Sequence, residues 1–100
     1  MAEVIRIEGS KREKLGKEDA KKIRKQGFIP AVIYANGKIY EHLKVKYGDI
    51  SKILKAGVTE FEIAVENKIY RVRLQDVQIN PITDLPIHFD FYCKEIIEHN

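Results

Sequence analysis

The 100-residue chain has room for one domain with one modest core, because a chain of this size buries only about two-thirds of the surface that it exposes when unfolded. Apolar residues make up 44% and charged residues 33%, which excludes an intrinsically disordered chain. Eight of the eighteen Lys and Arg residues lie between Lys11 and Lys25, in what we call the basic segment. Such a segment attracts polyanions over about 8 to 10 Å at physiological salt, and it leaves nucleic acid, an acidic membrane surface and an acidic protein as possible partners.

Cysteine content and hydropathy exclude two further classes of protein. The lone Cys93 cannot form an internal disulfide, and the N-terminus lacks the apolar core of a signal peptide, so a cytoplasmic location is favoured. The longest apolar stretch, Phe28–Ala35, is too short to cross a bilayer and contains Pro30. A transmembrane protein is therefore excluded.

The N-terminal third predicts a strand and a helix. β-Branched residues favour a strand over Glu3–Glu8, with Gly9-Ser10 as a break after it. A helix over Lys17–Gln26 is indicated by Asp19 near its start, basic residues near its end, and Gly27 at the position where the chain leaves the helix.

The middle of the chain predicts a hairpin and a second helix. Phe28–Ala35 is rich in β-branched and aromatic residues, and Asn36-Gly37 favours a tight turn because both residue types tolerate positive φ. The return strand is expected from about Lys38 to Tyr47. An amphipathic helix follows over Asp49–Ala56, with Asp49 as its N-cap.

The C-terminal part predicts another hairpin and a closing strand. Apolar and polar residues alternate over Phe61–Val65 and Tyr70–Leu74, and Asn80-Pro81 predicts a turn before a strand over Pro86–Tyr92. The fold class is thus mainly β with inserted helices, an α+β protein. About six mostly antiparallel strands favour a closed or half-closed barrel, because closure hides the edges of a small β core.

The predicted basic helix is the first candidate site. Lys17, Lys21 and Arg24 fall on one stripe, whereas its apolar side is narrow, so burial would stabilise it only weakly. Binding to phosphates would supply the missing stabilisation through counterion release. An ordinary solvated face explains the same pattern, and charge alone favours that simpler explanation.

Polar residues on the later strands are the second candidate. Gln75 and Gln78 lie near a strand end, where their amides either meet base edges or form a turn. His88 and Asp90 share one strand face, but no nucleophile motif and no metal-ligand spacing accompanies them. We therefore expect a hydrogen-bonding pair, and no enzyme, no metal and no cofactor. Tyrosines such as Tyr34 either stack on a base or pack in the core.

Several motifs together resemble the L-twenty-five family of large-subunit ribosomal proteins, a pattern shared by the general-stress protein family called CTC. The resemblance spans nearly the whole chain, and the combination of motifs in this order is specific although each alone is weak. The matching motifs are Leu15-Gly16-Lys17, Ile23-Arg24, Gly27–Tyr34, Gln75–Pro81 and Ile87–Phe91.

The resemblance implies a six-stranded barrel with two or three short helices, forming a single domain over residues 1–100. It implies binding to the loop E region of 5S rRNA at the central protuberance of the large ribosomal subunit, in the cytoplasm, by a protein that is monomeric off the ribosome and needs no membrane. Loop E is a non-Watson–Crick helix whose widened minor groove admits protein groups. Longer family members add a C-terminal β domain, so a chain ending at Asn100 is expected to be the short form.

The resemblance also implies an RNA-binding site. Contacts with the RNA backbone are expected from Arg12, Lys17, Lys21, Lys22 and Arg24. The polar surface that faces the groove is expected to consist of Tyr34, Gln75, Gln78, His88 and Asp90. Asp90 makes sense beside a polyanion as an acceptor for a base amino group or a 2′-hydroxyl, or as the residue that orients His88.

Two departures from the family pattern and three alternatives bear on this expectation. The first departure is Ala35, where family members often carry a Gly after the tyrosine. Family members often carry Arg where this chain has Lys21 and Lys22, and Lys lacks the bidentate fork, so these positions are expected to contact phosphate without reading bases. A stress-induced ribosomal relative, a tRNA-binding module related by fold to the anticodon-binding part of glutaminyl-tRNA synthetase, and a small hydrolase using His88 and Asp90 are the alternatives.

Overall fold

The structure, a computed structural model, describes residues 5–98. The beginning of the strand predicted over Glu3–Glu8 lies outside these residues. The elements are β1 (Arg6–Lys11), α1 (Lys17–Lys25), β2 (Phe28–Ala35), β3 (Lys38–Lys46), α2 (Tyr47–Ala56), β4 (Glu60–Val65), β5 (Lys68–Ile79) and β6 (Pro86–Glu98). Neither helix in this part of the chain is long and apolar enough to span a membrane.

The strands form a closed barrel in the order β1-β3-β2-β6-β5-β4, with β4 pairing back onto β1. The β1–β4 and β2–β6 pairs are parallel, and the four other neighbouring pairs are antiparallel. The predicted fold class, a mainly β barrel with inserted helices, is confirmed. Closure leaves each strand with a neighbour on both sides for at least part of its length.

Aromatic and β-branched side chains fill the barrel. Phe91 packs edge-on against Phe61, with ring centroids 5.5 Å apart, and lies parallel to Phe89 at 5.8 Å. From α2, Ile50 and Ile53 join this core and are almost completely buried. Full burial of one such aliphatic or aromatic side chain contributes about 1.5–3 kcal/mol, so the core supplies most of the driving force for folding.

Gly9 lies inside β1, so the predicted break at Gly9-Ser10 is wrong. Gly9 pairs with Val45 of β3, and a Cβ atom at this position would lie 2.6 Å from Leu43 Cδ1 and 3.0 Å from Ile63 Cγ2. A glycine is needed here because neighbouring strands bring their core side chains against the β1 backbone.

The start of α2 also differs from the prediction. The helix begins at Tyr47 and its N-cap is Lys46, which makes no side-chain capping bond, so the assignment of Asp49 as N-cap is wrong. Asp49 lies in the first turn, where its negative charge is favourable near the positive end of the helix dipole. The extended conformation of Lys46 continues directly from β3, which leaves no loop between strand and helix.

The last two strands are much longer than predicted. β5 reaches Ile79 and β6 reaches Glu98, and the two pair with each other along this whole length. Their alternation is interrupted by three shifts of register, which hide the full strands from a pattern of period two.

Candidate nucleic-acid interface

A β-bulge in β5 determines which of the predicted polar residues face outward. The pairing of β5 with β6 shifts between Leu74 and Asp76, so that Gln75 is the extra residue. On a regular strand Gln75 and Gln78 would project from opposite faces, because they are three residues apart. In the structure both amides and Asp76 are exposed, whereas Val77 packs against the core. The bulge therefore places both glutamines on the outer surface.

Strand pairing aligns these residues with side chains from β6 and β2. Residues directly opposite each other on neighbouring strands have Cβ atoms about 4.5–5.5 Å apart, so each row forms a continuous strip. We call the outward side chains of these rows, together with Gln75, the polar face. The rows are Gln78–His88, Asp76–Asp90–Val32 and Arg73–Tyr92–Tyr34.

His88 and Asp90, predicted as a hydrogen-bonding pair, lie side by side on the polar face but are not hydrogen-bonded to each other. His88 Nδ1 lies 3.2 Å from Asp90 Oδ1, and the side chains are 27% and 30% exposed. The contact is not aligned as a hydrogen bond, so the buried Nδ1 has no hydrogen-bond partner among residues 5–98. Burial lowers the pKa of His88 below its ordinary value, although the charge of Asp90 opposes this effect. The ring is therefore mainly neutral at pH 7, with one nitrogen as donor and one as acceptor.

Arg24 connects the basic helix to the polar face. Its Nη1 donates a hydrogen bond of 3.3 Å to the carbonyl oxygen of Ile87, the residue before His88. The positive charges of Arg12 and Arg24 also contribute to the lowered pKa of His88. The two predicted sets of residues, basic and polar, thus meet at the start of β6.

The guanidinium group of Arg12 is engaged in an ion pair within the protein and is largely shielded from solvent. Its Nε and Nη2 both donate to Asp19 Oδ2, at 3.2 and 2.9 Å, and its side chain is only 8% exposed. This ion pair joins the segment after β1 to the first turn of α1. The predicted contact between Arg12 and RNA phosphate stays a prediction, whereas its role in holding α1 follows from the geometry.

The lysines of α1 are open to solvent. Lys17, Lys21 and Lys22 are exposed, and Ile23 is the buried residue that anchors the helix to the barrel. The chain reverses after Gln26 at Gly27, whose φ of 89° favours glycine. The helix therefore presents charge on one side and is held by few apolar contacts, as the sequence predicts.

A basic groove of about 470 Å³ lies between the end of β1 and α1. Its lining contains residues that were not predicted as site residues, namely Lys11, Lys14 and Lys44. Lys11 and Lys14 belong to the basic segment and could have been included on that signal. Lys44 is distant in sequence, and only the pairing of Ser10 with Lys44 brings it to the groove.

Arg73 and Tyr92 are two further residues of the polar face that were not predicted. The Tyr34 and Tyr92 rings meet edge-on with centroids 6.1 Å apart, and the Tyr92 hydroxyl donates to Asn36 Oδ1 at 3.4 Å. The Arg73 guanidinium carbon lies 5.3 Å from the Tyr92 ring centroid. Tyr34 thus has a position on the outer surface, where it is partly exposed.

The geometry offers little support for a catalytic or metal site. Among residues 5–98, no three His, Cys, Asp or Glu side chains are grouped so that they could hold a metal ion. Burial raises the pKa of the Cys93 thiol, which keeps it protonated and poorly nucleophilic at neutral pH. The described site combines exposed charge on a helix with hydrogen-bond donors and acceptors on a sheet.

Comparison with known proteins identifies the family. The model of the Ribosomal L25p family matches residues 7–91. The chain belongs to this family. The resemblance seen in the sequence motifs is thereby confirmed, and the family is one of ribosomal proteins, not of enzymes.

Relatives from several bacteria are named large ribosomal subunit protein bL25. The protein of Methylocella silvestris is 39% identical over 94 residues, covering 91% of this chain and 41% of its own length. The Campylobacter hominis protein is 36% identical over 85 residues, covering 84% of this chain and 48% of its own length. The Bartonella henselae protein is 32% identical and covers all of this chain and 52% of its own length. The chain therefore spans about half the length of the curated relatives that it matches.

Proposed function

We propose that the chain is a structural protein of the large ribosomal subunit that binds the loop E region of 5S rRNA at the central protuberance, in the cytoplasm. The observation that carries this proposal is the hydrogen bond from Arg24 to the Ile87 carbonyl oxygen, which joins the basic helix to the polar face. Family membership supports the ribosomal role, since the relatives are named as proteins of the large subunit.

The basic helix suits contact with RNA phosphates. Three lysines, Lys17, Lys21 and Lys22, are exposed on α1, and Arg24 lies at the side of the helix that meets β6. Each phosphate that a Lys or Arg neutralises releases condensed counterions, so these residues supply affinity that depends on salt and not on sequence.

The polar face suits contact with the edges of bases and with ribose. It combines amide groups, a neutral imidazole and carboxylates, which together offer both donors and acceptors. Tyr34 adds an aromatic surface that is only partly buried. Side chains cannot read the deep, narrow major groove of a regular RNA helix, whereas loop E would offer its widened minor groove to the convex surface of the barrel.

Binding to matched RNAs tests the proposal. The protein would be titrated, by fluorescence anisotropy at physiological salt, against a 5S rRNA fragment containing loop E, a fully paired duplex of equal length, and a tRNA. We expect clear preference for the loop fragment. Equal, salt-sensitive binding to all three RNAs would refute recognition of loop E, and preference for tRNA would favour a tRNA-binding module instead.

A further inference from the structure

Arg73 lies in an outer row of the polar face and contacts residues of its own strand and of β6. It pairs with Tyr92 of β6 on one side and with Glu60 of β4 on the other. Its guanidinium group lies over the Tyr92 ring, and its Nη2 donates to Gln75 Oε1 at 3.2 Å. The planar guanidinium stacks on an aromatic ring and donates from its edge at the same time.

The contact with Arg73 decides what Gln75 offers to a ligand. A glutamine amide has one acceptor oxygen and an NH₂ group with two donors, and a free amide can turn to present either. Here the contact turns the oxygen toward Arg73, so the NH₂ group is the part of the amide that faces a partner outside the protein. The bulge at Gln75 directs this amide outward, beside the carboxylate of Asp76.

We propose that Arg73, supported by Tyr92, is a positioning residue that holds the Gln75 amide with its NH₂ group outward, where it donates to acceptor atoms in the RNA minor groove. The acceptors available there are purine N3, pyrimidine O2 and the ribose 2′-oxygen. An exocyclic amino group of a base at the same place would face the Gln75 NH₂ group, and two donors cannot form a hydrogen bond with each other. This inference rests on the proposed RNA-binding function and specifies what one position of that site recognises.

A simple phosphate contact is a weaker explanation for Arg73. The guanidinium is held against Tyr92 and Gln75, and its cross-strand neighbour Glu60 is a carboxylate that would repel a phosphate. Lys94, which pairs with Glu60 at 2.6 Å, is already engaged and offsets only part of that charge. The same neighbours favour a neutral acceptor such as a base or ribose oxygen.

The test combines protein variants with single-atom changes in the RNA. Arg73→Met removes the contact with Gln75, and Lys68→Met removes one charge from an exposed position at the other end of the same strand. Affinities are measured for the loop E fragment and for versions with 3-deazaadenosine or a 2′-deoxynucleotide at each loop position. Thermal melts of both variants check that they remain folded.

We expect the unsubstituted protein to lose about twofold to tenfold in affinity on one of the altered RNAs, as for one lost hydrogen bond. Arg73→Met leaves the Gln75 amide free to turn, so it should lose up to that factor on the unaltered RNA and show a smaller further loss than the unsubstituted protein on that altered RNA. Gln75→Glu keeps the contact with Arg73 but has no donor and adds a negative charge, so it should bind the unaltered RNA more weakly than Arg73→Met and lose nothing further on that altered RNA. Lys68→Met should keep the full sensitivity to the altered atom.

Two results would overturn the inference. One is an equal loss for Arg73→Met on every RNA with a salt slope reduced by about 0.7, which would assign Arg73 to a phosphate. The other is the absence of any altered RNA that weakens the unsubstituted protein. If the unsubstituted protein binds loop E and paired duplex equally, the proposed function itself fails. If the protein prefers loop E, but the affinity lost through Arg73→Met and the affinity lost through the altered RNA atom simply add, only the role of Arg73 is refuted.

Discussion

Replacing Gly9 with alanine should destabilise the barrel, because the space that the methyl group needs is already filled. The added Cβ would lie 2.6 Å from Leu43 Cδ1, 3.0 Å from Ile63 Cγ2 and 3.2 Å from Val65 Cγ2. All three neighbours are almost completely buried, so none can turn into solvent to make room.

Overpacking of this kind costs about 1–3 kcal/mol, since a close-packed core has to shift side chains or backbone to accept one methyl group. For a domain of about 100 residues, each kcal/mol lowers Tm by roughly 4–8 °C. We therefore expect Gly9→Ala to lower Tm by about 5–20 °C, as measured by circular dichroism during heating.

Gly48→Ala is the matched control for this change. Gly48 lies in the first turn of α2, and a Cβ built there meets no heavy atom within 4 Å. Because alanine favours helix over glycine by up to about 1 kcal/mol, this variant should keep or raise Tm. If Gly9→Ala melts within about 2 °C of the unsubstituted protein, the packing of β1 against Leu43 and Ile63 is not as tight as we infer.

Three further predictions concern the lysines of α1, His88 and Glu62. Lys17→Ala combined with Lys21→Ala should weaken RNA binding and flatten the dependence of log K on log salt by about 0.7 to 0.9 for each lost phosphate contact, measured by titration at several salt concentrations. His88→Ala should reduce discrimination between loop E and a regular duplex more than it reduces binding to generic RNA. The reason is that a neutral imidazole on the polar face would form hydrogen bonds with particular RNA groups and would not attract the phosphate charge that all RNAs share. The hydrogen bonds from Arg6 lower the pKa of Glu62, so the ionised Glu62 carboxylate stabilises the fold above pH 4.5, its ordinary pKa, and this stabilisation is lost as pH falls below that value. Glu62→Gln should therefore make the free energy of unfolding less dependent on pH in acid, as measured by denaturant unfolding at several pH values.

Each of these predictions has its own control. Lys52→Ala with Lys55→Ala removes two exposed charges from α2 and should leave a larger salt slope than the double change on α1. Equal slopes for the two double variants would remove α1 from the phosphate contacts. Equal losses on both RNAs would return His88 to a structural role, and an unchanged acid dependence in Glu62→Gln would mean that other carboxylates dominate acid unfolding.

Local signals in the sequence predict the turns and helices better than the long strands. Asn36 and Gly37 both have positive φ, 54° and 77°, as the hairpin prediction requires. The full length of β5 and β6 was missed because bulges reset the alternation of polar and apolar residues. The start of α2 was missed because the chain passes directly from β3 into the helix, without the capping side chain that usually marks the boundary.

The site was predictable only in part, for a related reason. Residues within the basic segment are recognisable from composition, and the resemblance to a family supplies the polar set. Lys44 and Tyr92, by contrast, reach the site only through strand pairing, Lys44 with Ser10 and Tyr92 with Tyr34. The composition of the chain does not reveal these pairings. The outward direction of Gln78 depends on the bulge at Gln75, and a regular strand would have turned it inward.

The distribution of charge between α1 and the polar face suggests how the protein would distinguish a groove from a phosphate backbone. Asp76 and Asp90 lie directly opposite each other on neighbouring strands, an arrangement that is unfavourable for two like charges. These carboxylates repel phosphate oxygens, so an RNA backbone would not lie across the centre of the polar face. Groups that donate hydrogen bonds, such as a base amino group or a 2′-hydroxyl, would relieve the repulsion.

Under the proposed function, affinity and selectivity would therefore come from different elements. The exposed lysines of α1 would attract any RNA at long range, and the acids at the centre of the polar face would admit only the part of the RNA that offers donors there. Asp90→Asn should then bind generic duplex as well as or better than the unsubstituted protein while losing preference for loop E. Titration of Asp90→Asn against both RNAs tests this expectation. A loss of affinity for the generic duplex would contradict the proposed repulsion between the Asp90 carboxylate and the RNA phosphates.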